Sequence, residues 1–221
     1  MAREAFHKEL DALQEQVLDM GKMTNLAVER AIETLKNRDL EAARAVIRND
    51  VLINEKRWQI EEESLTLIAR QQPVARDLRK LAAILNIIVD LERIGDHAEG
   101  IAKITLLIGE HEHASSLDDI SSMAQKATGM LDRALHAFFQ HDAETARAIC
   151  LEDDEVDTLY NRVYHHLLNV MINDPSMIDA GTYLMWASHN LERIADRVTN
   201  ICERTVFMVS GKMEEVGSSK Y

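Results

Sequence analysis

Nothing in this 221-residue chain reads as a sheet protein, a disulfide scaffold or a membrane span. Two prolines, eight glycines and an aromatic share of 5% leave too few turn formers and strand formers for a β protein. The two cysteines, Cys150 and Cys202, form no Cys-x-x-Cys pair, so a thiolate zinc site is unsupported. Both sit among apolar residues at helical spacing and are expected as buried structural thiols. No run approaches ~18 uncharged apolar residues. The opening residues, Met1 to His7, lack the apolar core of a secretory signal, so the expected compartment is the cytoplasm. Positive charge is scarce too. Lys and Arg number 25 against 38 Asp and Glu, a net charge of −13. That balance opposes a hold on nucleic acid phosphates and on anionic lipid, so a membrane would be reached only through partners. It suits solubility, a cation or a partner with a basic face.

What the chain does have is Ala, Leu, Glu, Arg and Met, the residues of long helices. It also has a repeat. Leu91-Glu92-Arg93-Ile94-Gly95-Asp96 returns as Leu191-Glu192-Arg193-Ile194-Ala195-Asp196. Earlier landmarks recur about as far apart: Val28-Glu29-Arg30-Ala31 with Leu131-Asp132-Arg133-Ala134, Asp50 with Asp153, Pro73 with Pro175. Two tandem units follow, 1–112 and 113–221.

Each unit reads as three helices. Phe6, Leu10, Leu13, Val17, Met20, Ala27 and Ala31 keep the 3–4 spacing of a bundle stripe. Asp39 is placed to cap a second helix, which ends near Arg70 before Gln71-Gln72-Pro73. Pro73 suits the start of a third. His111 to Ser116 form a polar linker. The second unit repeats the plan over 117–140, 142–173 and 175–211, with Asp174 before Pro175 as a cap. The tail from Gly217 is expected to fray. The fold class is all-α: two pseudo-symmetric three-helix bundles, six long antiparallel helices of roughly 45–50 Å at ~1.5 Å per residue.

The repeated string places Glu and Asp four residues apart, on one side of a helix. In an antiparallel hairpin, Glu92 and Asp96 lie as far beyond the turn near Gln72 as Asp50 and Asn54 lie before it, to within one helical turn. The same holds for Asp153 and Asp157 against Glu192 and Asp196 about Asp174. Like charges at this spacing repel by a few tenths of a kcal/mol unless a cation lies between them. Oxygen ligands without cysteine suit Mg, Mn or Fe. Glu99, Asn200 and Glu203 extend the same side as outer ligands. The structural alternative is a solvated charged face, with Arg93 and Arg193 pairing the acids. His97 has Arg197 as its counterpart and is not a required ligand. Trp58, Trp186 and the methionines read as core. No Ser-His-Asp order or phosphate-cradling glycine loop occurs, so no catalytic residue is proposed.

Gln72-Pro73-Val74-Ala75-Arg76-Asp77-Leu78-Arg79, together with Glu92 to Ala98 and Leu191 to Arg197, resembles the PhoU family of phosphate-specific transport accessory proteins. The resemblance runs from about residue 5 to 212. It implies a non-enzymatic protein of two three-helix bundles with metal clusters on the Glu/Asp-x-x-x-Asp motifs, which fall here on Glu92, Asp96, Glu192 and Asp196. Asp50, Asp153 and Asp157 face them. It also implies a negative regulator of phosphate uptake and phosphate-starvation signalling, placed between the transporter's ATPase subunit and a sensor histidine kinase, and a homodimer. The first unit departs from the pattern. Asn54 stands where the second unit has Asp157, and Gly100 and Lys103 stand where it has Asn200 and Glu203. The second site is therefore expected to hold metal more tightly. The alternatives are a carboxylate-bridged oxidase, a metal-free helical scaffold or an accessory protein of a different phosphate transporter. The oxidase is disfavoured because Glu-x-x-His is absent at the motif positions.

Overall fold

The structure, a computed structural model, describes residues 2–109 and 117–216. The boundary expected at 112/113, the His111–Ser116 linker and the tail from Gly217 lie outside the described residues. The elements are α1 (Ala2–Asn37), α2 (Leu40–Gln71), α3 (Ala75–Ile108), α4 (Asp118–Gln140), α5 (Ala143–Cys150), α6 (Asp153–Asn173), a 3-10 turn (Pro175–Met177) and α7 (Ile178–Ser210). No strand occurs among the described residues. No helix among them is long and apolar enough to cross a membrane.

The helix starts follow local chemistry. Asp39 accepts from the Ala42 amide at 2.9 Å and caps α2. Asp174 accepts from Ser176 N at 3.0 Å and Ser176 Oγ at 2.6 Å, so the Asp-Pro step opens on a cap. Pro73 does not begin α3. Val74 stays extended at φ −122°, and the helix starts at Ala75. Gly211, at φ 75°, terminates α7 in the left-handed geometry that favours glycine.

One expected helix is interrupted. The segment 142–173 divides at Leu151 and Glu152, whose amides bond Ala148 O and Ile149 O three residues back instead of four. Arg133 on α4 grips Glu152 through two 2.6 Å bonds, holding the break from outside the segment. The break starts α6 at Asp153, with Asp154 and Glu155 in the same first turn, where the helix dipole favours negative charge.

The core runs through both units without interruption. Helices α3 and α7 pack along each other at its centre, and α1 packs on α4. On α3, Asp90, Ile94, His97 and Ile101 share one face by 4-3-4 spacing; Asn190, Ile194, Arg197 and Ile201 repeat it on α7. The four isoleucines are fully buried. The polar members cross between the units. Arg197 Nη1 reaches Asp90 Oδ1 at 3.5 Å, and His97 Nδ1 hydrogen-bonds Asn190 Oδ1 at 2.9 Å. Residues 90 and 190 trade places in these two contacts, as do 97 and 197, so the repeat survives as an approximate twofold. Burial raises the Asp90 carboxyl despite the Asn200 and Arg197 bonds.

Candidate metal centre

Hairpin geometry carries the motif carboxylates of α3 and α7 to the partner acids of α2 and α6. In the second unit the effect is strong. Burial raises the Asp153 carboxyl, and the charges of Asp157, Asp196 and Asp154 raise it further, to about 7. Burial again leads for Glu192, with Asp196 and Asp157 adding to it against Arg193, and this carboxyl also stands at about 7. Asp157 is raised by burial, Asp196 and Asp154. The charge of Asp196 raises all three, and little answers it. Arg193 approaches Asp196 only to 3.7 Å. Glu192 Oε2 is buried without a hydrogen-bond partner, although His189 Nδ1 lies 3.3 Å from it.

The first unit keeps the plan with its charges answered. Burial raises the Asp50 carboxyl, followed by Glu99 and Asp96, but the Asn54 amide donates to Asp50 Oδ2 at 2.8 Å and opposes the shift. Lys103 donates to Glu99 at 2.6 Å. Arg93 bonds Asp96 at 2.9 Å and stands 3.6 Å from Glu92. The backbone of α3 comes close at Gly95, where a Cβ would stand 3.2 Å from Asp50 Oδ1 and 3.1 Å from Ile53 Cδ1 and would push those side chains back by a few tenths of an ångström.

Two expected outer ligands turn elsewhere. Asn200 donates across the unit boundary to Asp90 at 3.3 Å. Glu203 accepts the Val216 amide at 3.0 Å and ties down the segment after α7. Helical spacing gave their side of the helix but not the competing donors and acceptors. Trp58 and Trp186 are more than half exposed and do not belong to the core. Cys150 and Cys202 are free and buried as expected, and their mutual hydrogen bond leads burial in pushing the Cys202 thiol up. His189 was not singled out; its signal is the three-residue step to Glu192.

Among the described residues, no three Asp, Glu, His or Cys side chains stand close enough together to share one ion as they are placed. Gathering these carboxylates around one ion asks for side-chain movement. The donor chemistry fits a hard cation: oxygens only, mutually repelling, with one buried carboxylate oxygen unsatisfied. Asp153, Asp157, Glu192 and Asp196 would hold it, with His189 beside them.

The raised carboxyls set a pH dependence. From their ordinary values of 3.8 and 4.5 up to about 7, Asp153 and Glu192 retain protons in the fold that the unfolded chain has released. The folded state then binds more protons, so metal-free stability falls as pH rises through this window. Water screens these half-buried groups, which keeps the fall modest. Melting curves in chelator from pH 4.5 to 8 should show a decline that shrinks in the Asp153→Asn, Glu192→Gln variant. An equal decline in both proteins would contradict this electrostatic picture.

A family model for the PhoU domain matches residues 17–105 and again 120–205, one copy in each half. The phosphate-specific transport system accessory protein PhoU homolog of Clostridium acetobutylicum is 36% identical over 98% of this chain and 99% of its own length. That of Streptococcus pneumoniae is 33% identical over 97% and 99%. The crystal structure of the phosphate transport system regulatory protein PhoU from Streptococcus pneumoniae superposes with a TM-score of 0.89 at 32% identity, covering 95% of this chain and 99% of that one. PhoU from Pseudomonas aeruginosa also gives 0.89 at 32% identity, over 94% and 100%. With both copies of the domain matched and the relatives aligned along nearly their full length, the chain belongs to the PhoU family.

Proposed function

We propose that this chain is an accessory protein of a phosphate-specific transport system that damps phosphate uptake and phosphate-starvation signalling. It works without catalysis, as a cation-binding adaptor between the transporter's ATPase subunit and a sensor histidine kinase. It acts in the cytoplasm as a homodimer and reaches the membrane only through those partners. The relatives' role in phosphate transport supports the first statement. The observation that carries the adaptor reading is the second carboxylate group, where Asp153 and Glu192 are both raised to about 7 and Glu192 Oε2 is buried without a hydrogen-bond partner. A hard cation, Mg, Mn or Fe, would neutralise these acids and tie α6 to α7, stiffening the surface a partner reads.

The test measures binding of the purified ATPase subunit and of the kinase's cytoplasmic part, with Mn2+ and with chelator. Cation-dependent binding supports the adaptor reading, and binding indifferent to metal reduces the cation to a structural role. No binding to either protein overturns the reading.

The two sites should differ. Asn54 and Lys103 already answer Asp50 and Glu99, so the first site should bind Mn2+ at least about tenfold more weakly, a difference of ~1.4 kcal/mol. Lys103→Glu should narrow the gap. Calorimetric titration showing two equal sites in the wild-type chain would contradict this.

A further inference from the structure

On α2, Val46, Ile53, Ile60 and Leu67 turn inward and are buried. A second stripe at 4-3-4-3 spacing, Val51, Glu55, Trp58, Glu62 and Leu65, lies off that inner face and is exposed throughout. Its apolar members are conspicuous: Val51 is 49% exposed, Trp58 58% and Leu65 52%. Among the described residues the helix packs chiefly on α1 and α3, and the stripe residues stay exposed. Neighbouring charges are spoken for. Arg57 stands 3.3 Å from Glu61, and Glu63 accepts from Gln16 at 2.6 Å and Gln59 at 2.9 Å. Glu55 and Glu62, set between the apolar residues, have no ion pair among the described residues. The stripe is not a relic of the repeat. The second unit has Asp154, Thr158 and Asn161 where the first has Val51, Glu55 and Trp58.

The pattern discriminates among occupants. In a twofold pair of copies centred beside Trp58, Glu55 of each would face Glu62 of the other, a repulsive match in both halves. The same two acids oppose an anionic lipid surface. An amphipathic helix with apolar residues interleaved by Lys or Arg at matching steps satisfies both the exposed rings and methyls and the unpaired acids. The stripe spans about 20 Å at ~1.5 Å per residue, enough for four turns of such a helix. We infer that the Val51–Leu65 stripe of α2 is the docking face for a basic amphipathic helix of a partner protein, with Trp58 as its anchor. This rests on the adaptor reading and gives that reading a contact surface.

The test uses the full chain in a Trp186→Phe background, so that Trp58 is the reporting indole. The probe is a 21-residue alanine-based helical peptide with Leu at every seventh position and one Lys midway between successive Leu residues. Peptide binding should change Trp58 fluorescence and weaken with added salt, and Glu55→Lys with Glu62→Lys should reduce affinity at least about 30-fold. Trp58→Ala with Leu65→Ala, followed by anisotropy of labelled peptide, should do the same. These exposed positions leave the fold intact, which circular dichroism checks. No peptide binding, or binding that the variants do not alter, overturns the docking face. A second arm adds the ATPase subunit. Competition with the peptide supports both proposals. ATPase binding that neither the peptide nor the variants affect refutes this face and leaves the adaptor reading intact. Peptide binding that the variants weaken, without ATPase or kinase binding, supports the face and refutes the reading.

Discussion

Mn2+ at pH 7.5 should raise the melting temperature of the wild-type chain, and Glu192→Ala with Asp196→Ala should abolish most of that rise. A ligand that binds only the folded state at ~100-fold above its dissociation constant contributes about 2.7 kcal/mol. For a chain of this size that corresponds to roughly 5–10 °C. The same variant in chelator should melt no lower than wild type and, above pH 7, slightly higher. It removes Asp196, whose charge raises Asp153, Asp157 and Glu192, and it breaks no fully buried ion pair, since Glu192 Oε2 has no hydrogen-bond partner, His189 beside it is exposed and Arg193 is 3.7 Å from Asp196. Opposite signs with and without metal separate a cation site from a set of structural salt bridges. If these carboxylates were structural anchors, the variant would lose stability in both conditions. Differential scanning calorimetry with matched Mn2+ and chelator samples reads all four values.

The second large effect lies at the seam between the units. Ile94→Ala should cost about 3 kcal/mol, a fall in melting temperature of roughly 10 °C. Ile94 is fully buried on the face of α3 that carries Asp90 and His97, both bonded to α7. Truncation removes methyl groups from a packed seam whose polar neighbours are held in fixed positions, so the cavity has little room to collapse. The core is continuous across the seam, so a single unfolding transition is expected in both proteins. An exposed control, Val51→Ala, should change stability by less than ~0.5 kcal/mol. Two separate transitions in the wild-type chain would show that the units are stabilised independently, against this packing.

Much of this organisation was legible as spacing. The 3–4 stripe of α1, the Asp39 and Asp174 caps and the register of acids across each hairpin all follow from rules that act within about four residues or across one turn. What escaped depends on partners far along the chain. The division between α5 and α6 leaves no glycine or proline in Cys150-Leu151-Glu152-Asp153; it is held by Arg133 on another helix. Asn200 lies on the expected side of α7, yet its amide is claimed by Asp90 across the seam. Periodicity places a side chain on a face and leaves open which of two neighbours it reaches. Trp58 was misread for a related reason. A large ring at helical spacing suggests core, but its stripe is set off from the buried one and carries glutamates.

The second unit is proposed to gather its acids around a hard cation. Anomalous diffraction from crystals grown with Mn2+ tests it most directly. Strong manganese density is expected among Asp153, Asp157, Glu192 and Asp196, and weaker density beside Asp50 and Asp96. Metal-replete crystals without manganese signal at the second group, or with Arg193 paired to those acids in its place, would contradict it.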